Sequence, residues 1–373
     1  MPAPRHGEPD TPPQLDLSPG RLSTEQFPRQ AWRAAWRRAA HHTPGMDSQS
    51  PAGVPELRAA LAAHLNWSLG LGCTADQIVV TGGVGHGLQL LARAHAAAHV
   101  ALEDPGRPAL AHALQAHGLH TPAVATDTEG MLPESLPPTA ALAVVTPGHQ
   151  FPTGGLLSLP RRRALLHAAR RHGVLLVEDT AGAEFRHAGP QLPPLARLAR
   201  MDGAAHIGTL ATLMTPALDL GYLVTSTALA ARVTDLLDRL GTTPSPLAQH
   251  AAADLLTTGA VRRHLARTRH LLTAKRQQTI NALTPLSHCS RISGTHTGWH
   301  AVLELHPDIP ARAVQDRLTP HGIQVPALAD YYRTPATAPN ALVIGYGGLG
   351  AVSRISRRGS GVGGRLAAWD VET

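Results

Sequence analysis

Lysine is almost missing from this sequence. Of 373 residues, 33 are lysine or arginine, and Lys275 is the one lysine among them. Any chemistry that needs an ε-amine, such as an imine to a carbonyl compound, therefore has a single possible donor. Cysteine is nearly as scarce: Cys73 and Cys289 lie far apart and form no CxxC pair. A disulfide framework and a thiolate metal site are thereby excluded, and two buried thiols of a reducing compartment are expected. Aromatic residues make up 3%, too few for a base-stacking platform. The net charge of +7 is spread thinly, with no basic block longer than Arg161–Arg163. No helix-turn-helix pattern accompanies that charge, so a nucleic-acid partner is not expected. A signal peptide and a membrane-length apolar run are also absent from the sequence, which points to a cytoplasmic protein.

What is present is a core. Apolar residues reach 43%, enough for a large domain and a smaller one in a chain of this length. Residues 1–14 are Pro-rich and polar and read as a disordered tail. Residues 15–50 read as an N-terminal arm with a helix over 23–42 that carries Phe27, Trp32 and Trp36 on one side. Residues 51–255 read as the large domain, opening with a helix over 51–70 that has Pro55 in its first turn. Seven short apolar strands follow, at 77–83, 99–104, 120–126, 142–148, 173–179, 204–210 and 220–225, with helices between most of them. Continuous apolar strands alternating with helices predict an α/β fold built on a mostly parallel seven-stranded sheet. Residues 256–373 read as a long helix and a small α+β C-terminal domain, with strands at 299–305 and 341–347 around a helix at 310–321. In an open parallel sheet the site lies beyond the carboxyl ends of the strands, so the loops that matter start near 81, 104, 146, 178 and 208.

Those loops carry a resemblance. The segments PAGVPELRAALAAHL, DQIVVTGG, EDPGRP, VVTPGHQFPTGGLLSLPRR, EDTAGAEFR, HIGTL, PALDLGYLV and LVIGYGGL occur in order between about 15 and 368. Together they resemble the fold-type I, pyridoxal-phosphate-dependent class I/II aminotransferase domain of MocR-type regulators. TPGHQFPTG followed by EDxxxxEFR is the most specific part. The resemblance implies a fold-type I homodimer with its site near the interface. It also implies a DNA-binding winged helix ahead of this domain, and no such segment is recognised in the sequence.

The resemblance further implies a set of cofactor contacts, and most are replaced. The turn that reads GTFSKTLAPALRLGYLV in the family is GTLATLMTPALDLGYLV here. Thr212 stands at the Schiff-base lysine, Ala211 at the serine before it, and Asp219 at a phosphate-binding arginine. Gly85 and His86 replace two glutamines at the start of a helix. Arg107 replaces the aromatic that stacks on the pyridine ring, Ala181 the tyrosine of the phenolic oxygen, and Ser48 a tyrosine from the partner subunit. Asp179 alone matches its counterpart, the carboxylate that pairs with the pyridine nitrogen. No arginine for a substrate carboxylate lies in ALVIGYGGL; Arg333 and Arg354 are the nearest.

These losses lead to the expectation of a fold kept and a cofactor site abandoned. The expected function is a pyridoxal-phosphate-independent biosynthetic enzyme of cyclase, lyase or condensing type, acting on a small molecule and using no cofactor. Its candidate catalytic groups are Asp179, His86 and His206, with Arg107 as an anion clamp. His149 and His300 match family histidines and are expected to be structural. No metal site is expected, HTGWH at 296–300 being the nearest approach to one. Two other readings stand beside this one: a B6 enzyme that holds PLP or pyridoxamine phosphate (PMP) non-covalently, and a non-catalytic pseudo-aminotransferase that serves as partner or regulator.

Overall fold

The computed structural model describes residues 15–42, 50–187, 189 and 191–349. The expected tail at 1–14, Ser48, Arg354 and any closing helix after residue 357 lie outside the described residues. Two compact units divide the chain. The larger takes Gln26–His270 and His296–Gly298; the smaller takes the residues up to Glu25, Leu271–Thr295 and the chain from Trp299 onward.

Strand β1 (Leu15–Asp16) belongs to the smaller unit, and the larger begins with α1 (Arg29–Ala40). That helix starts later than expected. Pro28 takes the cap position without a side-chain hydrogen bond, because its ring fixes the backbone and ends any turn begun at Ser23. Phe27, Trp32 and Trp36 do form one aromatic row, with successive ring centroids 5.4 Å apart. Helix α2 (Pro55–Ser68) starts on Pro55, whose missing N–H is no loss at a first helical position.

The sheet follows. Its strands are β2 (Ile78–Thr81), β3 (Val100–Asp104), β4 (Ala123–Asp127), β5 (Gly130–Met131), β6 (Leu142–Val145), β7 (Leu175–Asp179), β8 (Ala204–Thr209) and β9 (Gly221–Val224). Their order is β2-β9-β8-β7-β6-β3-β4-β5. The seven expected strands are all there, and the two-residue β5 adds an eighth at the edge. Helices α3 (Val84–Ala94), α4 (Pro108–Ala116) and α5 (Leu159–His172) supply crossovers, and the pairs from β8 through β4 by way of β7, β6 and β3 are parallel. Between β8 and β9 there is only the single turn of α7 (Leu210–Leu213) and a 3₁₀ turn, so β9 returns antiparallel to β8 and to β2. That reversal gives β2 the same direction as β8. The carboxyl ends of β2, β3, β6, β7 and β8 therefore share one edge with the start of β9.

Two glycines hold the edge tight. A Cβ on Gly221 would stand 2.7 Å from both the Gly83 Cα and the Thr81 Oγ1, and one on Gly87 would meet the Ile207 Cδ1 at 2.7 Å. The first turn of α3 is thus seated on β8 and β9 at a distance no other residue permits. Behind it, Val79, Leu88, Leu91, Val100, Leu142, Val177, Ile207, Leu223 and Val233 form one buried cluster. Arg162, itself buried, donates from Nε to the Leu157 carbonyl, from Nη1 to Pro193 and from Nη2 to Pro147, pinning the loop after β6. The larger unit also holds α6 (Leu195–Leu198), α8 (Thr227–Leu240), α9 (Pro246–Thr257) and the first part of α10 (Ala260–Leu283). The unit boundary falls inside α10, at 270/271, beyond the residue 256 expected from sequence.

In the smaller unit β10 (Ser290–Ser293), β11 (His300–Leu305) and β13 (Ala341–Gly345) form an antiparallel sheet in that order. β1 pairs in parallel with β12 (Ile323–Gln324), and α11 (Ala311–Leu318) matches the expected helix. Lys275 lies fully buried here. Its ammonium donates to the Gly347 carbonyl at 3.3 Å and to the Leu349 carbonyl, and burial lowers its pKa. Among the described residues no helix is long and apolar enough to cross a membrane.

Gly221→Ala is expected to lower the unfolding free energy by about 1–3 kcal/mol, the usual cost of forcing a methyl into filled space. Urea denaturation of the variant checks it, and an unchanged midpoint would show that the edge yields easily.

Candidate functional site

Each strand end in the larger unit delivers a polar group to the shared edge. After β2, the Thr81 Oγ1 donates to the Gly83 carbonyl at 3.0 Å, and Gly83 turns the chain at φ +91° into α3. The Gly82 N–H donates to the His86 Nδ1 at 3.0 Å. That bond makes Nδ1 an acceptor, leaving the ring proton on Nε2, and burial together with Arg93 lowers the His86 pKa. A Cβ built on Gly83 or Gly85 meets nothing within 4 Å. The first amides of α3, which have no intrahelical acceptor, thus border open space, the kind of backbone that could hold an anion.

β3 and β6 contribute a buried pair. Glu103 accepts from the Thr146 N–H at 3.2 Å and from the Thr146 hydroxyl. Burial pushes its carboxyl up to about 7, with the charge of Asp179 adding to the rise. From the loop after β3, Arg107 reaches across. Its Nη1 lies 3.6 Å from the Asp179 Oδ2, and its Cζ sits 5.2 Å above the Phe151 ring.

At the end of β7, Asp179 is 2% exposed, and its Oδ1 accepts from the Ala181 N–H at 2.9 Å. Glu178, one residue earlier, points to the opposite face. There it accepts from the Leu195 N–H at 2.7 Å and the Ala196 N–H at 3.2 Å. Glu184 is buried with no hydrogen-bond partner for Oε2, and burial raises its carboxyl to about 7. At the end of β8, the Thr209 Oγ1 accepts from the Ala211 N–H at 3.1 Å and caps α7, while the Thr212 hydroxyl donates to the Thr209 carbonyl at 3.0 Å. Asp219 is exposed and left-handed at φ +47°.

The structure thus brings Arg107 and Asp179 into direct contact and sets His86 at the helix that bounds the same edge. His206 is placed differently. It is wholly buried, with Nδ1 3.3 Å from the Glu178 Oε1, Nε2 3.5 Å from the Thr180 hydroxyl, and its ring stacked on Tyr222. That is the environment of a core histidine tying two strands together. His149 is held through Nδ1 by the Thr297 hydroxyl at 2.8 Å, and His300 is buried in the smaller unit. Among the described residues no three His, Cys, Asp or Glu side chains gather as a metal site. Sequence reasoning passed over Glu103 and Glu184. The available signal was an acidic residue inside an otherwise apolar run, as in VALED.

Comparison with known proteins adds to this geometry. The family model for aminotransferase class I and II matches residues 12–312. The chain belongs to the class I and II aminotransferase family. A curated relative, the HTH-type pyridoxine biosynthesis transcriptional regulator PdxR of Corynebacterium glutamicum, is 38% identical over 90% of this chain and 73% of its own length. The probable rhizopine catabolism regulatory protein MocR of Rhizobium meliloti is 30% identical over 73% of this chain and 56% of its own. Among solved structures, an archaeal alanine:glyoxylate aminotransferase superposes with a TM-score of 0.80 at 22% identity, covering 90% of this chain and 86% of that one. The α-aminoadipate aminotransferase LysN of Thermus thermophilus, complexed with N-(5'-phosphopyridoxyl)-L-leucine, superposes at 0.78 and 23% identity, covering 95% and 93%. The structural likenesses establish the fold.

Family membership overturns two expectations. A pyridoxal-phosphate-independent cyclase, lyase or condensing enzyme finds no support in an aminotransferase family whose similar members here are transaminases and regulators. The expectation of no cofactor falls with it, since the family points to pyridoxal phosphate. The relative PdxR is itself an HTH-type transcriptional regulator by name.

The buried carboxyls make stability depend on pH in a definite sense. Glu103 and Glu184 rise from an ordinary 4.5 to about 7, so the native state holds protons that the unfolded chain releases. Their stabilising contribution is complete below about 4.5 and is lost as the pH climbs through about 7. Glu103→Gln is expected to flatten the fall in melting temperature between those values, as followed by calorimetry; an unchanged slope would place its titration elsewhere.

Proposed function

We propose that this chain is an aminotransferase-like domain that binds a B6 vitamer, PLP or PMP, without a covalent bond, and that occupancy rather than transamination is its output. The observation that carries this is the pairing, at one sheet edge, of a buried Asp179 with the open amide cradle of α3, while the turn after β8 presents a hydroxyl at Thr212. A bound vitamer supplies an electrophilic carbonyl or an amine on an electron-accepting pyridine ring.

The residues present fit the group in part. The amides of Val84, Gly85 and His86, at the positive end of α3, suit a phosphate. Asp179 suits the ring nitrogen, its Oδ1 steadied by the Ala181 N–H. The Nε2–H of His86 is a further donor beside the cradle. Thr212 binds by hydrogen bond only: its hydroxyl is a poor nucleophile and is already donated to the Thr209 carbonyl. Asp219 places a negative charge where the resemblance expects an arginine, so the phosphate depends more heavily on backbone dipoles. Regulatory output is favoured by the regulator PdxR, the relative described above at 38% identity, whose name ties it to pyridoxine biosynthesis. A homodimer, as the fold implies, would place two such sites in one particle.

Titrating the purified protein with PLP and with PMP, followed by ligand absorbance and protein fluorescence, should show saturable binding of both. Asp179→Asn should weaken it by about 10–100-fold, the worth of a charge-assisted hydrogen bond. Intact mass after borohydride treatment should be that of the unmodified chain. A borohydride-fixed adduct, or no saturation by either vitamer, would sink the proposal.

A further inference from the structure

The edge of the sheet opposite Asp179 carries a second polar cleft. Because β9 runs against β8, its carboxyl end lies beside the start of β8 and away from Thr209. There the end of α5, the start of α8 and His95, which closes α3, surround a space of about 350 Å³. β8 is six residues long, about 20 Å of strand, so this cleft and the Asp179 edge are separate places.

The lining suits a negative charge. Arg170 and Arg232 both border the cleft, against a single carboxylate, Asp202. Arg232 donates from Nη2 to the Ala94 carbonyl, which holds its charge beside His95. Arg170 is exposed and donates no side-chain hydrogen bond to any described residue. At the start of α8 the Ser226 hydroxyl accepts from the Leu229 N–H at 3.3 Å. The Thr227 and Ala228 amides are left without an intrahelical acceptor at the positive end of a 14-residue helix. Thr225 points to a ligand independently of that helix. It is 1% exposed and lines the same cleft, and its hydroxyl bonds to no described residue. A buried hydroxyl in that state costs free energy unless something in the cleft meets it. His95 is in a similar position, its Nε2 buried and without a partner, and burial together with Arg232 lowers its pKa.

We propose that this cleft is a second anion site, which takes the phosphate group of a small phosphorylated compound. The Arg170 fork, the two free amides of α8 and the Thr225 hydroxyl offer donors of three kinds to three phosphate oxygens, with Arg232 as a second full charge. A carboxylate, with two oxygens and one charge, would leave part of that set unspent. The volume is that of a small-molecule pocket and leaves room beside the phosphate for an organic remainder. The site needs neither a B6 vitamer nor Asp179.

Inorganic phosphate and glycerol phosphate, titrated against the full chain and followed by ³¹P resonance, should each saturate. The His95 ring-proton shift should show its pKa rising as the anion binds. Arg170→Met should weaken binding by about tenfold or more, and Thr225→Val, which keeps the shape and removes the hydroxyl, by about three- to tenfold. Thr225→Val should not lower the melting temperature, because it removes a hydroxyl that has no partner. Arg170→Met should leave the PMP titration unchanged, so this proposal and the vitamer reading fail separately. Tighter binding of glycerol phosphate identifies an ester as the ligand and equal binding the free ion; both support the site. Absence of saturation by either probe overturns it. Binding that is indifferent to both substitutions and moves His86 in place of His95 puts the anion at the start of α3 and overturns it as well.

Discussion

An ionised carboxylate sealed into a protein wall loses several kcal/mol of hydration unless hydrogen bonds and counter-charge replace the water. At the end of β7, Asp179 receives both, an amide from Ala181 and a guanidinium from Arg107. Burial above all, with the charge of Asp179 as a smaller addition, raises the Glu103 and Glu184 carboxyls to about 7. Glu178, adjacent in sequence, is turned by the strand's alternation to the other face, where Leu195, Ala196 and His206 meet it. One charged edge and one charged underside are thus kept apart by the sheet.

Sheet geometry then decides what can approach that charge. Because β9 runs against its two neighbours, the start of α3 and the turn of α7 are brought to the edge that Asp179 occupies. The open amides of α3, the Asp179 carboxylate and the Thr212 hydroxyl come from three separate loops, and no two of them are close in sequence.

Much of this was legible in the residues. Apolar runs bounded by turn residues located all seven main strands, since buried parallel strands leave a signal that needs no partner to read. The two-residue β5 was not legible, because Gly130–Met131 has no period of its own and pairs only through a local return. The start of α1 was misplaced because Ser23 and Thr24 look like caps, yet Pro28 decides where the helix begins. At the site, Asp179 and Arg107 were legible as substitutions or survivals at matched positions. Their ion pair was not, for it depends on two loops meeting. The cofactor expectation failed for a physical reason. Side chains that bind leave letters in a sequence, whereas amides that bind leave none, so the loss of Thr212's and Asp219's counterparts looked like the loss of the whole site.

The bond from the Gly82 N–H to the His86 Nδ1 has a mechanical meaning. It occupies the amide of the loop, so an anion at this place must sit further in, over the amides of α3 itself and close to the helix axis. Gly87 lets the same helix sit directly on β8, where any side chain at that position would run into Ile207, and β8 ends at Thr209, the cap of α7. The first turn of α3 and the turn of α7 are therefore built against one strand, and the shape of either is set by the other through the small size of a single residue.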